Sequence, residues 1–260
     1  MYYIDTHTHV YSEFYDNIDE IVSNAKTNNV LKIINCADNI KSANEILKLQ
    51  ERYKGFVYVA IGIHPEHANE YSETQIQGLE KLIKNNKICD IGEIGLDYHY
   101  SIENKKKQKE MFEKQLSLAE KYNLPVIIHA RESNKDCIEI LSKYKLKGVF
   151  HSFHGTIEES QQIINMNFLI GINGMATFKN AEEIREVLKE IPITKIILET
   201  DCPFLTPEPF RKYKNEPKYI PNISTFVSDF YNISEEKLLY TTTKNALELF
   251  PPNETIILDG

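Results

Sequence analysis

Five of the eight histidines in this 260-residue chain stand at or just beyond short apolar runs. His7 and His9 form a His-X-His pair directly after residues 2–5. His64 follows the run 56–61, and His129 and His151 end the runs 125–129 and 148–151. Two acids take equivalent places, Glu93 after 88–91 and Asp201 after 195–199. If the runs are strands, side chains two apart share a face. Asp5, His7 and His9 then point one way, as do Ile91 and Glu93, Ile127 and His129, and Glu199 and Asp201. The chemistry such a set shares is the holding of divalent cations. Neutral imidazole nitrogens suit zinc and other first-row ions, and carboxylates suit magnesium or manganese. A lone histidine near a strand end is more often a satisfied polar side chain. Recurrence at strand end after strand end is what packing does not explain, so a metal site is expected. His67 and His99 fall in loops and read as surface residues; His154 has the opposite parity to His151 and stays outside the cluster.

The elements that must position these residues alternate along the chain. Apolar, β-branched runs at 2–5, 30–36, 56–61, 88–91, 125–129, 148–151, 168–172 and 195–199 read as buried parallel strands. Amphipathic stretches at 18–26, 43–53, 74–84, 105–122, 135–143, 158–166 and 181–189 separate them, and 222–250 adds two more helical patterns. Eight strand–helix units over this length are the arithmetic of a single (β/α)8 barrel of the TIM type, taken as one domain over residues 1–260. An open doubly wound sheet is the runner-up, and it lacks a glycine-rich phosphate loop after its first strand. In a barrel all the candidate ligands converge on the C-terminal rim. The segment 203–221 carries five of the ten prolines and no helical period, so a functional loop is expected over the mouth.

Composition narrows the classes. Hydrophobic residues at 42% and charged residues at 26% fit a globular chain with an ample core. No apolar run is long enough to span a membrane, and the start has no secretory pattern. Cys36, Cys89, Cys137 and Cys202 form no CxxC pair, which fits a reducing cytoplasm. A net charge of −8 argues against broad electrostatic wrapping of duplex DNA.

The same residues carry a family resemblance. Asp5-Thr-His-Thr-His9, Gly62-Ile-His-Pro65, Ile91-Gly-Glu-Ile-Gly-Leu-Asp-Tyr98 and Leu124-Pro-Val-Ile-Ile-His-Ala-Arg131 resemble the TatD-related deoxyribonucleases of the amidohydrolase superfamily. His151-Ser-Phe-His-Gly155, Leu198-Glu-Thr-Asp-Cys-Pro203, Asn215-Glu-Pro217 and Thr242-Thr-Lys-Asn-Ala246 continue the match in order over nearly the whole chain. The resemblance implies a TIM-like barrel, two divalent ions (Zn, Mg or Mn) and hydrolysis of DNA phosphodiester bonds as a 3′–5′ exonuclease. It implies one ion on His7, His9, Glu93 and Asp201, and a second on Glu93, His129 and His151. Glu93 would bridge them where many amidohydrolases use a carboxylated lysine. Three stretches depart from the pattern. Ser152 and His154 follow the strand-six histidine, Cys202 replaces an alanine, and residues 210–214 replace an Arg-Gly pair.

Catalysis is expected from Asp201, Glu93 and His64. Asp201 would take or relay a proton, and Glu199 is either a partner of a ligand histidine or a structural core carboxylate. Substrate contact is expected from His64, Arg131, Asp97, Tyr98 and Asn215, with Asp97 alternatively orienting a ligand. Tyr98, Phe178 and Tyr213 are candidates to stack on bases, and Lys212 and Lys214 to meet the DNA backbone. Residues 105–107, three lysines, read as a solvated helix start. The expected partner is a DNA strand end or single-stranded segment, met by a monomer with no membrane contact. The alternatives are a small-molecule amidohydrolase or lactonase on the same site, and a binding module with structural metals.

Overall fold

A computed structural model describes residues 2–99 and 103–250. Eight strands run in chain order: β1 Tyr3–Thr8, β2 Val30–Cys36, β3 Val57–Ala60, β4 Ile91–Asp97, β5 Val126–Arg131, β6 Gly148–Phe150, β7 Leu169–Ile172 and β8 Ile196–Leu198. Helices follow them: α1 Ile18–Thr27, α2 Ile40–Arg52, α3 Glu73–Asn85, α4 Lys105–Tyr122, α5 Asn134–Leu141, α6 Ile157–Asn165, α7 Glu182–Glu190, α8 Ile220–Phe230 and α9 Glu235–Leu249. The ladders are parallel, in the orders β1-β2-β3 and β4-β5-β6-β7-β8.

Two seams join these sheets edge to edge. Ala60 lies opposite Asp90 where β3 meets β4, and Thr8 lies opposite Cys202 where β8 returns to β1. At that second seam the His9 amide donates to the Cys202 carbonyl at 2.8 Å and the Asp201 amide to the His7 carbonyl at 3.0 Å. This is the (β/α)8 barrel read from the strand count.

Period-two alternation sorts the side chains into two layers. Inside the barrel, Ile34, Cys36, Ala60, Ile127, Val149 and Ile197 form one cluster, which Ala246, Leu249 and Phe250 of the α9 end join from below. Val57, Ile91, Val126, Ile128, Phe150 and Ile196 face outward and meet helix residues such as Met111, Phe112, Leu116 and Ala119 of α4. Ile91 therefore does not share the face of Glu93 as its spacing suggests, because the β4–β5 register shifts between Ile91 and Ile94. Each such buried aliphatic or aromatic side chain contributes about 1.5–3 kcal/mol. The helices start where side chains can cap them. Thr156 and Glu159 form a capping box at α6, Asn39 and Ser42 one at α2, and Ser234 caps α9.

The strands differ from their sequence reading mainly in length. β1 runs on through His7, and β5 through His129 to Arg131. β4 starts at Ile91, where the apolar run 88–91 ends, and holds Glu93 within it. The apolar run in the sequence stops at Ile91, before Gly92 and Gly95. Gly95 has φ +147, and a Cβ there would meet the His129 carbonyl oxygen at 2.0 Å. Only glycine lets β4 lie this close to β5.

Residues 203–216 are irregular, as expected, before a short 3-10 turn leads into α8. The loop is well tied. Asn215 Nδ2 donates to the Thr200 carbonyl at 2.8 Å and to that of Phe204, and Tyr15 donates to the Asn215 carbonyl at 2.6 Å. Among the described residues no helix is long and apolar enough to cross a membrane.

Candidate metal centre

The barrel interior changes character toward the C-terminal ends of the strands. Ile127 gives way to His129, Val149 to His151, and Ile197 to Glu199 and Asp201. All seven predicted site residues at strand ends meet there, buried or nearly so: His7, His9, His64, Glu93, His129, His151 and Asp201.

Glu93 stands at the middle, and its two oxygens face different partners. Oε2 lies 3.2 Å from His7 Nε2 and 3.4 Å from His9 Nε2. Those nitrogens are 3.1 Å apart, and each is 3.8 Å from Asp201 Oδ1. Oε1 lies 2.6 Å from His129 Nδ1 and 2.6 Å from His151 Nε2, which are 3.3 Å from one another. Ligand atoms about 2.1 Å from one tetrahedral ion stand about 3.4 Å apart. The set His7, His9, Asp201 and Glu93 Oε2 has close to that spacing. The second set is tighter, as hydrogen-bonded groups are.

The outer atoms of the rings fix which nitrogen faces inward. His9 Nδ1 donates to the Cys36 carbonyl at 3.2 Å, leaving Nε2 for the cluster. His129 Nε2 donates to Asp97 Oδ2 at 2.9 Å, leaving Nδ1. His7 Nδ1 lies 3.5 Å from the Cys36 sulfur, a thiol that burial holds protonated. His151 Nδ1 faces Glu199 Oε1 at 3.6 Å. Glu199 also accepts from the Ser152 amide at 2.5 Å, so it both faces a cluster histidine and ties the loop after β6. His64 is different. Its Nδ1 accepts the Glu66 amide at 3.2 Å, so the proton sits on Nε2, which points at Glu93 Oε1 from 3.6 Å. That nitrogen is a donor and offers no lone pair to an ion.

The charges fit a cation. Burial works against an ionised Glu93, yet His151, His7 and His64 around it hold its carboxyl well below the usual range. Burial opposes protonation of His151, but Glu93 and Glu199 outweigh it and raise that ring well above its ordinary value. His129 is raised by Asp97 and Glu93 against the same burial, and His9 by Glu93. Burial and the neighbouring His151 push His7 well down, and burial with His129 pushes His64 to about 3. Burial, with Glu93 adding to it, raises Asp201 to about 7. Three of the five imidazoles, His9, His129 and His151, are drawn toward protonation, as carboxylates nearby draw positive charge. A donor set of imidazole nitrogens and carboxylate oxygens suits a divalent metal.

The remaining expected residues fall elsewhere. Asp97 sits behind His129 with both oxygens engaged, Oδ2 by that ring and Oδ1 by the His99 amide at 2.9 Å. The Tyr98 hydroxyl donates to Asp136 at 2.6 Å. Asn215 is fully buried and braces the loop. Arg131 ends β5 as an exposed rim residue. Phe178 lies under the Arg211 guanidinium at 3.7 Å, while Tyr213 is 52% exposed. Lys106 and Lys107 are exposed at the start of α4, and Lys105 lies over the Tyr98 ring. His154 is exposed and pairs with Glu183 at 3.0 Å. It borders a cleft of about 770 Å³ shared with Tyr98, Asn134 and Glu186, which none of the cluster residues lines. The sequence reading missed an aromatic group beside the cluster, Tyr11, Phe14 and Phe204. Phe204 and Phe14 each have a ring centre 6.3 Å from that of His9. Proximity to the His-X-His pair and to the Asp201 turn was the available signal.

The family model described as TatD related DNase matches residues 4–251. The chain belongs to this family. A metal-dependent hydrolase of Bacillus subtilis strain 168, YabD, is 38% identical over 253 residues, covering 96% of this chain and 99% of that protein. The 3′-5′ ssDNA/RNA exonuclease TatD of Pantoea vagans is 31% identical over 247 residues, covering 92% and 95%. The crystal structure of the TatD homologue YjjV from Escherichia coli K12 superposes with a TM-score of 0.89 at 26% identity, covering 95% and 97%. TatD-family membership makes this chain an enzyme, a metal-dependent hydrolase.

Proposed function

We propose that this enzyme hydrolyses DNA phosphodiester bonds at a centre holding two divalent ions, working as a monomer from the 3′ end of a single strand. The observation that carries the reading is the division of Glu93, with one oxygen toward His7, His9 and Asp201 and the other toward His129 and His151. The first set would hold one ion, the second set the other, with Glu93 common to both. Zinc, magnesium or manganese there would supply Lewis acidity, making water a better nucleophile and offsetting charge on the phosphate. The Pantoea relative, named as a 3′-5′ ssDNA/RNA exonuclease, supports the substrate class.

The chain's own groups do the rest. Asp201 turns one carboxylate oxygen toward the cluster and accepts the proton that the attacking water gives up. His64 Nε2–H donates to a non-bridging phosphate oxygen, because the Glu66 amide already fixes its tautomer. Arg131 on the rim offers a planar fork to a neighbouring phosphate. Asp97 and Glu199 keep His129 and His151 turned inward. Four free, buried thiols support a cytoplasmic setting.

The test is turnover of end-labelled single- and double-stranded DNA and RNA with Mg²⁺, Mn²⁺, Zn²⁺ or excess chelator. Stepwise shortening of single-stranded DNA from its 3′ end with metal, and none in chelator, is expected. Undiminished cleavage in chelator refutes the metal mechanism. Hydrolysis of lactones or amides with no turnover of nucleic acid would move the substrate to small molecules on the same site.

A further inference from the structure

Among the described residues four large hydrophobic side chains are exposed, Tyr2, Phe204, Tyr213 and Tyr240, and one of them adjoins the cluster. Phe204 is 49% exposed, three residues beyond Asp201. Its backbone is held at both ends, the amide donating to the Asp201 carbonyl at 2.9 Å and the carbonyl accepting from Asn215. Its ring meets Phe14 edge-on, with centres 5.5 Å apart and planes at 77°, and meets His9 in the same manner at 67°. Phe14 in turn leans on Tyr11, with centres 5.0 Å apart. These steeply inclined ring contacts fix the tilt of the Phe204 ring, and about half of the side chain stays open to solvent. Lys214 donates to the Phe14 carbonyl, so a cation stands on the same lip. Leaving an apolar ring half in water gains nothing for the fold.

We infer that Phe204, backed by Phe14, is the platform on which the nucleobase next to the scissile phosphate stacks. The inference rests on the nuclease reading above and adds the residue that positions its substrate. A base and its own phosphate are separated by one sugar, and His9 borders both the platform and the cluster. A phosphate drawn to the ligands therefore brings its base over Phe204. Every base has a π-face, so the contact accepts any sequence while requiring the base to be out of a duplex stack. The platform adjoins His9, whereas Asp97 adjoins His129 and Tyr98 bonds to Asp136.

The experiment compares short single-stranded DNAs that carry or lack a base at each position flanking the scissile bond, in the presence of Mn²⁺. Wild-type protein is expected to favour the base-bearing strand at one of those positions by roughly 5- to 150-fold in kcat/KM, mainly through KM. Phe204→Ala is expected to abolish that preference, because base and ring then form one pair whose losses do not add. Phe204→Trp is expected to keep it. A wild-type protein that cleaves both strands equally, or a Phe204→Ala protein that retains the preference, overturns the platform and leaves the nuclease reading intact. A Phe204→Trp protein that behaves like alanine overturns stacking as the cause. A wild-type protein that cleaves neither strand removes the nuclease reading and the platform with it.

Discussion

Asp90 and Glu93 stand three residues apart on one stretch of chain, both almost wholly buried, and their carboxyls are shifted in opposite directions. Asp90 faces the apolar interior of the barrel. It accepts from the Cys89 thiol at 3.0 Å, its other oxygen has no hydrogen-bond partner, and burial raises it to about 7. Glu93 faces the mouth, where five imidazoles surround it and hold it ionised. The depth is similar; the neighbours decide. A barrel can therefore bury charge at one end of its strands at little cost and still exclude it from the middle, provided the compensating groups come from other strands.

The comparison breaks most visibly at Glu93. Glu93→Ala removes the group shared by both sets, and turnover is expected to fall by at least about 10³-fold. Metal content measured on the purified variant should fall with it. Near-normal turnover by a folded Glu93→Ala protein would contradict the bridging role. Asp90→Asn tests the other side. Below about pH 4 both the folded and unfolded states hold the Asp90 proton. Between about pH 4 and 7 only the folded state holds it, so wild-type stability falls as pH rises through that window. Asparagine removes that loss. Its advantage in urea unfolding should grow from pH 4 to 7 and then level, reaching as much as about 4 kcal/mol. A difference that does not change with pH would show that Asp90 is ionised in the fold. The smallest effect belongs to Asp97→Asn, which keeps the shape behind His129 and weakens its anchor. A loss of about 10- to 100-fold in turnover or metal affinity is expected, with stability little changed.

Much of this was legible in the chain. The strand count and the period-two pairs Ile127 and His129, and Glu199 and Asp201, placed a ring of ligands at one end of a barrel before any contact was known. What was not legible came from groups whose partners are remote in sequence. The Gly92 and Gly95 interruptions cut the fourth strand short at Ile91 in the sequence, because only the approach of β5 shows why glycine is needed. Asn215 reads as a substrate contact in the loop, and the partners that brace it, Tyr15 and Thr200, lie 200 and 15 residues away. His64 counts among the cluster histidines by position, and only the Glu66 amide shows that its inward nitrogen carries a proton. Loop aromatics have no periodicity, so nothing in composition ranked Phe204 above Phe178 or Tyr213.

The two seams of the barrel give the cluster a mechanical meaning. His7 belongs to the three-stranded sheet and His9 follows directly from it, while Glu93 and His129 belong to the five-stranded one and His151 follows directly from it. Whatever those residues grip together clasps one half of the barrel to the other at its weakest joins. Occupation and closure would then share one free energy, and the proposed reaction centre would also be the latch that keeps the barrel shut.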